Sequence, residues 1–129
     1  MKRRVAAGAI ALVALAASPA AAGGGPNRVS ATGDEVSETE LSLLLSRTKV
    51  DPGPAIIEFR NVGEDDHDMK VKRVGHEREW GTGVLHSGEI ENVELRLRRD
   101  SRYRLWCSLQ QGLHREAGMD ATLRVRRRG

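Results

Sequence analysis

Apolar and polar residues alternate with a period of two from Thr39 onward, in short runs that turn residues separate. The clearest run places Val93, Leu95 and Leu97 between polar or charged neighbours. A period of two puts successive side chains on opposite faces of a strand, and short strands between turns are typical of an all-β sandwich. Because no helical pattern alternates with the strands, we predict one antiparallel β-sandwich domain over 39–129.

The first run of this domain allows two interpretations. Leu41, Leu43 and Leu45 recur at every second position and favour a strand, whereas Ser37 and Glu40 have the spacing of a capping box that would begin a short helix. We favour the strand. The residues that we expect on the inward faces of later strands are Ala55, Ile57, Phe59, His67, Met69, Val71, Tyr103, Leu105, Cys107, Met119, Ala121, Leu123 and Val125.

The N-terminal region has a different character. Basic residues at 2–4 precede an apolar run over 5–17, which is too short to span a bilayer, and a cluster of alanines follows it. These features predict a cleavable signal peptide over 1–22, and therefore a protein that is secreted to the periplasm, the cell envelope or the extracellular space. The Gly-rich and polar stretch over 23–38 is predicted to be a flexible segment with at most a short strand near Val29.

Removal of the signal peptide changes the charge of the chain. The sequence has 21 Lys and Arg against 18 Asp and Glu, a formal net charge of +3. Three of the bases and none of the acids lie in the predicted signal, so the mature domain is balanced and we predict no nucleic-acid partner. The arginines at 124–128 are interpreted as a solvated strand end. We expect the domain to be a monomer without a membrane span.

Cys107 is the only cysteine, so it cannot form an internal disulfide in an exported protein. It is either a small buried residue or a ligand. The other metal-binding residue types favour a ligand role for Cys107, because His114, Met119 and the more distant His67 also lie beside predicted turns. A thiolate, two imidazoles and a weak axial thioether form the donor set of copper sites that transfer electrons.

The same residues carry a family resemblance. The segment 103–107, with tyrosine first and cysteine last, and the segment 114–119, with histidine first and methionine last, together resemble the C-terminal signature of plastocyanin-like cupredoxins. The segment 61–63 followed by His67 resembles the region of the first histidine ligand in that family. The likeness extends over about 39–126.

The resemblance implies a Greek-key sandwich that holds one copper ion, which alternates between Cu(I) and Cu(II). It assigns Cys107, His67 and His114 as the strong ligands and Met119 as the weak axial ligand. It further implies an electron carrier, not an enzyme, that passes electrons through the His114 edge to a redox protein. No pair of carboxylates in the sequence has a catalytic arrangement that would favour acid-base chemistry instead.

The sequence departs from the family in the loop between Cys107 and His114, which is longer than usual. A longer loop can change the copper geometry, or let Gln110 or Gln111 compete with Met119 for the axial position.

The sequence also suggests which groups surround the ligands, and it allows other functions. We expect Asn61 and the backbone near Ser108 to bond the sulfur or to tie the ligand loops together. His86 is expected to be exposed, or else a neighbour of the site. Two other functions stay open at this stage: a copper delivery or storage protein with the same ligands, and a metal-free β-sandwich interaction module.

Overall fold

The computed structural model describes residues 25–128, so the predicted signal peptide over 1–22 lies outside the described residues. Nine strands, one 3₁₀ turn and one short helix make up this part of the chain. The elements are β1 (Asn27–Glu35), β2 (Leu41–Leu45), β3 (Lys49–Val50), β4 (Gly53–Asn61), β5 (Lys70–Arg73), β6 (Glu79–Gly81), β7 (Ile90–Leu97), β8 (Ser101–Trp106), the 3₁₀ turn (Gln110–Gly112), α1 (Leu113–Glu116) and β9 (Asp120–Val125).

The strands form two sheets, in the orders β2-β1-β4-β7 and β3-β9-β8-β5-β6. Most neighbouring strands are antiparallel, but β1 runs parallel to β4 and β3 runs parallel to β9. The predicted β-sandwich is confirmed, with two parallel pairs within its otherwise antiparallel sheets. The predicted strand over Leu41–Leu45 is present, and Ser37 Oγ accepts the Glu40 backbone N–H at 3.1 Å in a turn that precedes it.

The core lies between the two sheets and uses the inward positions that the alternation predicts. In β4, β7, β8 and β9 the buried side chains fall on every second position, because a strand alternates its faces; Ala121, which we also expected inside, is partly buried. Phe59 and Tyr103 are among the largest fully buried side chains. The Tyr103 hydroxyl oxygen accepts the backbone N–H of Arg98 at 2.9 Å, so its polar end is satisfied within the core.

The first strand begins earlier than the sequence indicates. β1 lies between β2 and β4, with Val29 and Ala31 buried, so the sheet includes residues that we assigned to the flexible segment over 23–38. This strand is rich in small and polar residues and contains Gly33, and such a composition is a weak signal for a strand. Its inclusion matters for function, because β1 ends with Glu35 beside His67.

One end of the sandwich gathers the termini of β1, β4, β8 and the start of β9. The connection from β8 to β9 contains the 3₁₀ turn and α1, and it closes through the Met119 backbone N–H, which donates to the His114 carbonyl at 3.1 Å. Gly118 has a φ of 130°, and a β-carbon there would collide with the carbonyl oxygen of Leu41. Glycine therefore lets this connection pack closely on the start of β2.

Candidate metal centre

Three donor atoms from distant parts of the chain converge at this end. His67 Nδ1 and His114 Nδ1 are 3.2 Å apart, and Cys107 Sγ lies 3.9 Å from the first and 3.6 Å from the second. One point in the plane of these three atoms is equidistant from them, at about 2.1 Å from each. This distance is close to the bonds that a metal such as zinc makes in proteins, which are ~2.0–2.1 Å to imidazole nitrogen and ~2.3 Å to thiolate sulfur. The donors therefore fit a trigonal first-row metal ion.

Backbone hydrogen bonds fix each donor in place. His67 pairs with Leu85 in an isolated bridge, with N···O distances of 3.1 and 2.8 Å in the two directions. Cys107 follows the last residue of β8, and its N–H donates to the carbonyl of Met119 at 3.1 Å. His114 lies in α1. The His114 carbonyl accepts the Met119 N–H, so hydrogen bonds hold the backbone of each donor against a neighbouring segment.

The Cys107 sulfur is fully buried. The backbone N–H of Asp68 points at it, with an N···S distance of 3.5 Å. Burial raises the pKa of the Cys107 thiol to about 11, so the metal-free protein carries a neutral thiol at neutral pH. A metal ion that binds here has to displace that proton, and the N–H of Asp68 then stabilises the thiolate.

Asp68 ties the two ligand loops together. Its carboxylate accepts the backbone N–H of Ser108 at 2.7 Å and the Ser108 hydroxyl at 2.6 Å, and the residue is 4% exposed. The backbone of Ser108 takes part as we expected, but Asp68 supplies the partner that the sequence analysis missed. Its position directly after His67 was the available sequence clue.

Asn61 has a different role from the one we considered. Its amide Nδ2 donates to the carbonyls of Asp65 at 2.8 Å and Leu85 at 3.0 Å, and its Oδ1 accepts the Gly63 N–H at 3.0 Å. None of these bonds reaches the sulfur. Asn61 therefore shapes the turn that delivers His67, because a buried amide needs these partners.

Glu35 is the second group that the sequence analysis missed. Its carboxylate bonds His67 Nε2, the ring nitrogen that faces away from the donor triangle, and accepts the Glu64 N–H at 2.6 Å. A β-carbon on Gly63 would overlap this carboxylate, so glycine makes room for it. Burial raises the pKa of Glu35, but the bonds from His67 and Glu64 outweigh burial and lower it overall, which keeps the carboxylate ionised.

A carboxylate behind a histidine fixes the tautomer of the ring and raises its basicity toward a metal. Glu35 orients His67 so that Nδ1 is the nitrogen free to bind. His114 differs, because burial and the neighbouring His67 both lower its pKa. A lowered pKa favours the neutral imidazole, which is the form that binds metal.

Met119 is fully buried at the same end of the sandwich. Its methyl group lies 2.7 Å from the position that a β-carbon on Gly33 would take, and the ring of Phe59 borders the same space at 3.0 Å. Gln110 and Gln111, the other axial candidates, are exposed. His86 is exposed too, and its Nδ1 lies 2.7 Å from an oxygen of Asp66.

The surface next to His114 is acidic. Glu38, Glu64 and Asp65 are exposed and line a cleft that His114 also borders, and we call these three residues the acidic rim. Leu113, beside them, is 58% exposed. His114 is 9% exposed, whereas His67 and Cys107 are fully buried, so His114 is the donor that lies closest to solvent.

Solved structures similar to this chain include auracyanins. Auracyanin from the photosynthetic bacterium Roseiflexus castenholzii aligns with a TM-score of 0.58 at 14% identity, over 79% of this chain and 98% of that chain. Auracyanin A, a "blue" copper protein from Chloroflexus aurantiacus, aligns with a TM-score of 0.55 at 13% identity, over 77% of this chain and 99% of that chain.

Longer proteins match as well. The Cu-containing nitrite reductase of Thermus scotoductus aligns with a TM-score of 0.58 at 17% identity, over 80% of this chain. The chain spans 32% of that reductase and 44% of a multicopper oxidase, less than half the length of either. No protein-family model and no curated protein matches the sequence. At these identities the likeness shows the fold.

Proposed function

We propose that this chain, a cupredoxin-like sandwich, is a blue copper protein that binds one copper ion and carries single electrons. The observation that carries the proposal is the donor triangle, in which one thiol and two imidazoles already lie at metal-binding separation. This donor set suits copper, because thiolate stabilises Cu(I) and imidazole accommodates Cu(II).

Each residue has a separate task in this proposal. Cys107 loses its proton and provides the thiolate, while His67 and His114 provide Nδ1 nitrogens. Met119 provides a weak axial thioether, a role supported by its burial and by its backbone bond to Cys107. The bound copper supplies the one-electron exchange. Since backbone hydrogen bonds hold each donor, we expect the donors to rearrange little when the charge changes, which favours rapid exchange.

Electrons enter and leave at the His114 edge in this proposal. That edge combines the donor closest to solvent with the exposed Leu113, which offers an apolar contact. The acidic rim around it would attract a redox protein with a basic surface and repel an acidic one. We propose such a protein as the partner, met outside the cytoplasm after the signal peptide has been cleaved.

We favour a carrier over an oxidase or reductase, because the described residues bring together one donor cluster and a carrier needs one metal centre. The chain aligns with nearly the full length of the auracyanins but with less than half of the multicopper oxidase or the nitrite reductase. The size of one sandwich is thus sufficient for a copper protein of this fold. A protein that delivers or stores copper would use the same ligands. Voltammetry distinguishes that function from electron transfer.

The test is the absorption and electron paramagnetic resonance spectrum of the protein loaded with Cu(II). We expect an intense visible band from thiolate-to-copper charge transfer, which Cys107→Ser abolishes. His86→Asn is the matched control, because His86 is an exposed histidine on the same half of the molecule, and it should keep the band. A colourless adduct would contradict the proposal. Slow or irreversible voltammetry of a coloured protein would favour delivery or storage.

A further inference from the structure

The end of the sandwich opposite the donors carries a concentration of arginines. Arg98 and Arg99 lie on the turn between β7 and β8, and the residues 126–128 follow β9. All five are exposed, and they border connected grooves at this end. We call these five residues the arginine end. They are distant in sequence, and the pairing of β8 with β9 brings the two groups together.

More arginines surround this set. Arg73 at the end of β5, Arg96 on β7, and Arg102 and Arg124 on β8 and β9 border the same grooves. Within residues 25–128, Arg126 is the one member of the arginine end with a carboxylate within ion-pair distance, at 3.0 Å from Asp51. The C-terminal basic run that we interpreted as a solvated strand end is thus part of a larger surface that three other strands contribute to.

The molecule is therefore polarised along its strands. Ser101, at the start of β8, pairs with Val125 beside the arginine end, and Trp106, at the end of β8, precedes Cys107. At about 3.3 Å per residue this strand separates the arginine end from the donors by about 20 Å. The acidic rim lies at the donor end. An anionic surface would attract one end and repel the other.

We propose that the arginine end docks on the anionic phospholipid surface of a membrane, with the metal centre directed away from it. Guanidinium groups bind phosphate oxygens in a bidentate manner, and basic clusters bind anionic leaflets additively. Val74 follows Arg73 at this end and is 43% exposed, so it offers an apolar tip to the interface. No helix within residues 25–128 is long and apolar enough to cross a membrane.

Two other anionic partners fit less well. Proteins that read bases or bind single strands add to their phosphate contacts either stacking on aromatic rings or an element that enters a groove. Tyr103 is fully buried, and Trp80 already lies under the guanidinium of Arg78 at 4.7 Å, so neither offers a free ring at this end. A second copy could place its acidic rim here, but such head-to-tail contacts generate rings or open filaments in which neighbouring copies cover the metal centres.

The experiment is co-sedimentation of the exported chain over 23–129, with copper added, with vesicles of phosphatidylcholine with or without phosphatidylglycerol. We expect binding to the anionic vesicles only, and its loss when the salt concentration rises from about 0.05 M to about 0.5 M. Reversal of three charges in Arg98→Glu/Arg99→Glu/Arg127→Glu should weaken binding by roughly tenfold or more. Arg60→Glu is the matched control for the single variants Arg99→Glu and Arg127→Glu, since each reverses one charge. Arg60 is exposed but lies on β4 toward the donor end, so this variant should bind like the wild type.

Several results of this experiment would contradict docking on anionic lipid. Equal binding to neutral vesicles, no binding at low salt, or full binding by the triple variant would overturn the proposal. Tighter binding to DNA or heparin than to anionic vesicles at equal phosphate or sulfate concentration would also overturn it. If the triple variant does not fold, Arg99→Glu and Arg127→Glu are tested singly. Sedimentation does not depend on the copper spectrum, so this proposal and the proposed function can fail independently.

Discussion

Replacement of Glu35 by glutamine tests how the protein sets the electron affinity of its metal centre. Glutamine has nearly the same shape and can still accept the bond from His67 Nε2, but it lacks the negative charge. That charge stabilises Cu(II) more than Cu(I), because Cu(II) carries one more positive charge. Glu35→Gln should therefore raise the reduction potential of the copper-loaded protein.

The structure gives the size of this effect. One imidazole ring separates the Glu35 carboxylate from the centre of the donor triangle, a distance of about 6 to 7 Å. At an effective dielectric constant of about 20, one charge at that distance contributes about 2.5 kcal/mol. This energy corresponds to about 110 mV, since about 59 mV is a factor of ten for one electron. Glu35 is 19% exposed, so solvent screening reduces the expected rise to about 50 to 100 mV.

Voltammetry of the wild type and the variant at one pH measures the shift. Glu38→Gln is the matched control, because Glu38 belongs to the acidic rim but does not bond His67, and its removal should move the potential much less. An unchanged or lower potential in Glu35→Gln, with the visible spectrum and thermal stability retained, would refute the reasoning. Equal shifts in both variants would assign the effect to the general field of the rim.

Two further predictions concern the buried donor end. Folding raises the pKa of the Cys107 thiol from 9.0 to about 11, so the stability that is present below pH 9 is lost as the pH rises toward 11. Chemical unfolding of the metal-free, reduced protein should therefore show a loss of about 2 to 3 kcal/mol over this range, and Cys107→Ala should lack it. Identical pH profiles of the two proteins would contradict this prediction. Gly33→Ala should displace the Met119 methyl, cost about 1 to 3 kcal/mol in thermal unfolding and shift the copper spectrum, whereas an unchanged spectrum would argue against Met119 as the axial ligand.

The sequence predicted most strands from local patterns, and three of the four residues that it proposed as ligands lie together in the structure. Tyr103 and Leu105 lead to Cys107 by strict alternation, and His114 with Met119 lies in the connection that follows. The predicted β-sandwich is confirmed, and His67, Cys107 and His114 lie together in the structure, whereas their role as metal ligands stays a prediction. A period of two is a property of neighbouring residues, so it can be recognised without knowledge of the fold.

The groups that support the donors could not be predicted in this way. Glu35 precedes its partner His67 by 32 residues and ends a strand whose composition is weakly patterned. Asp68 follows three exposed acidic residues, and only the approach of Ser108 across 40 residues makes its carboxylate a buried tie. Both contacts depend on the register between strands that are remote in sequence, and no local pattern encodes that register.

The first strand has a consequence for how the site matures. Within residues 25–128 β1 comes first in chain order, and it must align with its parallel partner β4, which follows two other strands, before Glu35 reaches His67. A nascent chain exposed to copper before this pairing would present thiol and imidazoles without their carboxylate support. The pairing of β1 with β4 therefore couples the assembly of this sheet to the completion of the metal centre, because Glu35 ends β1.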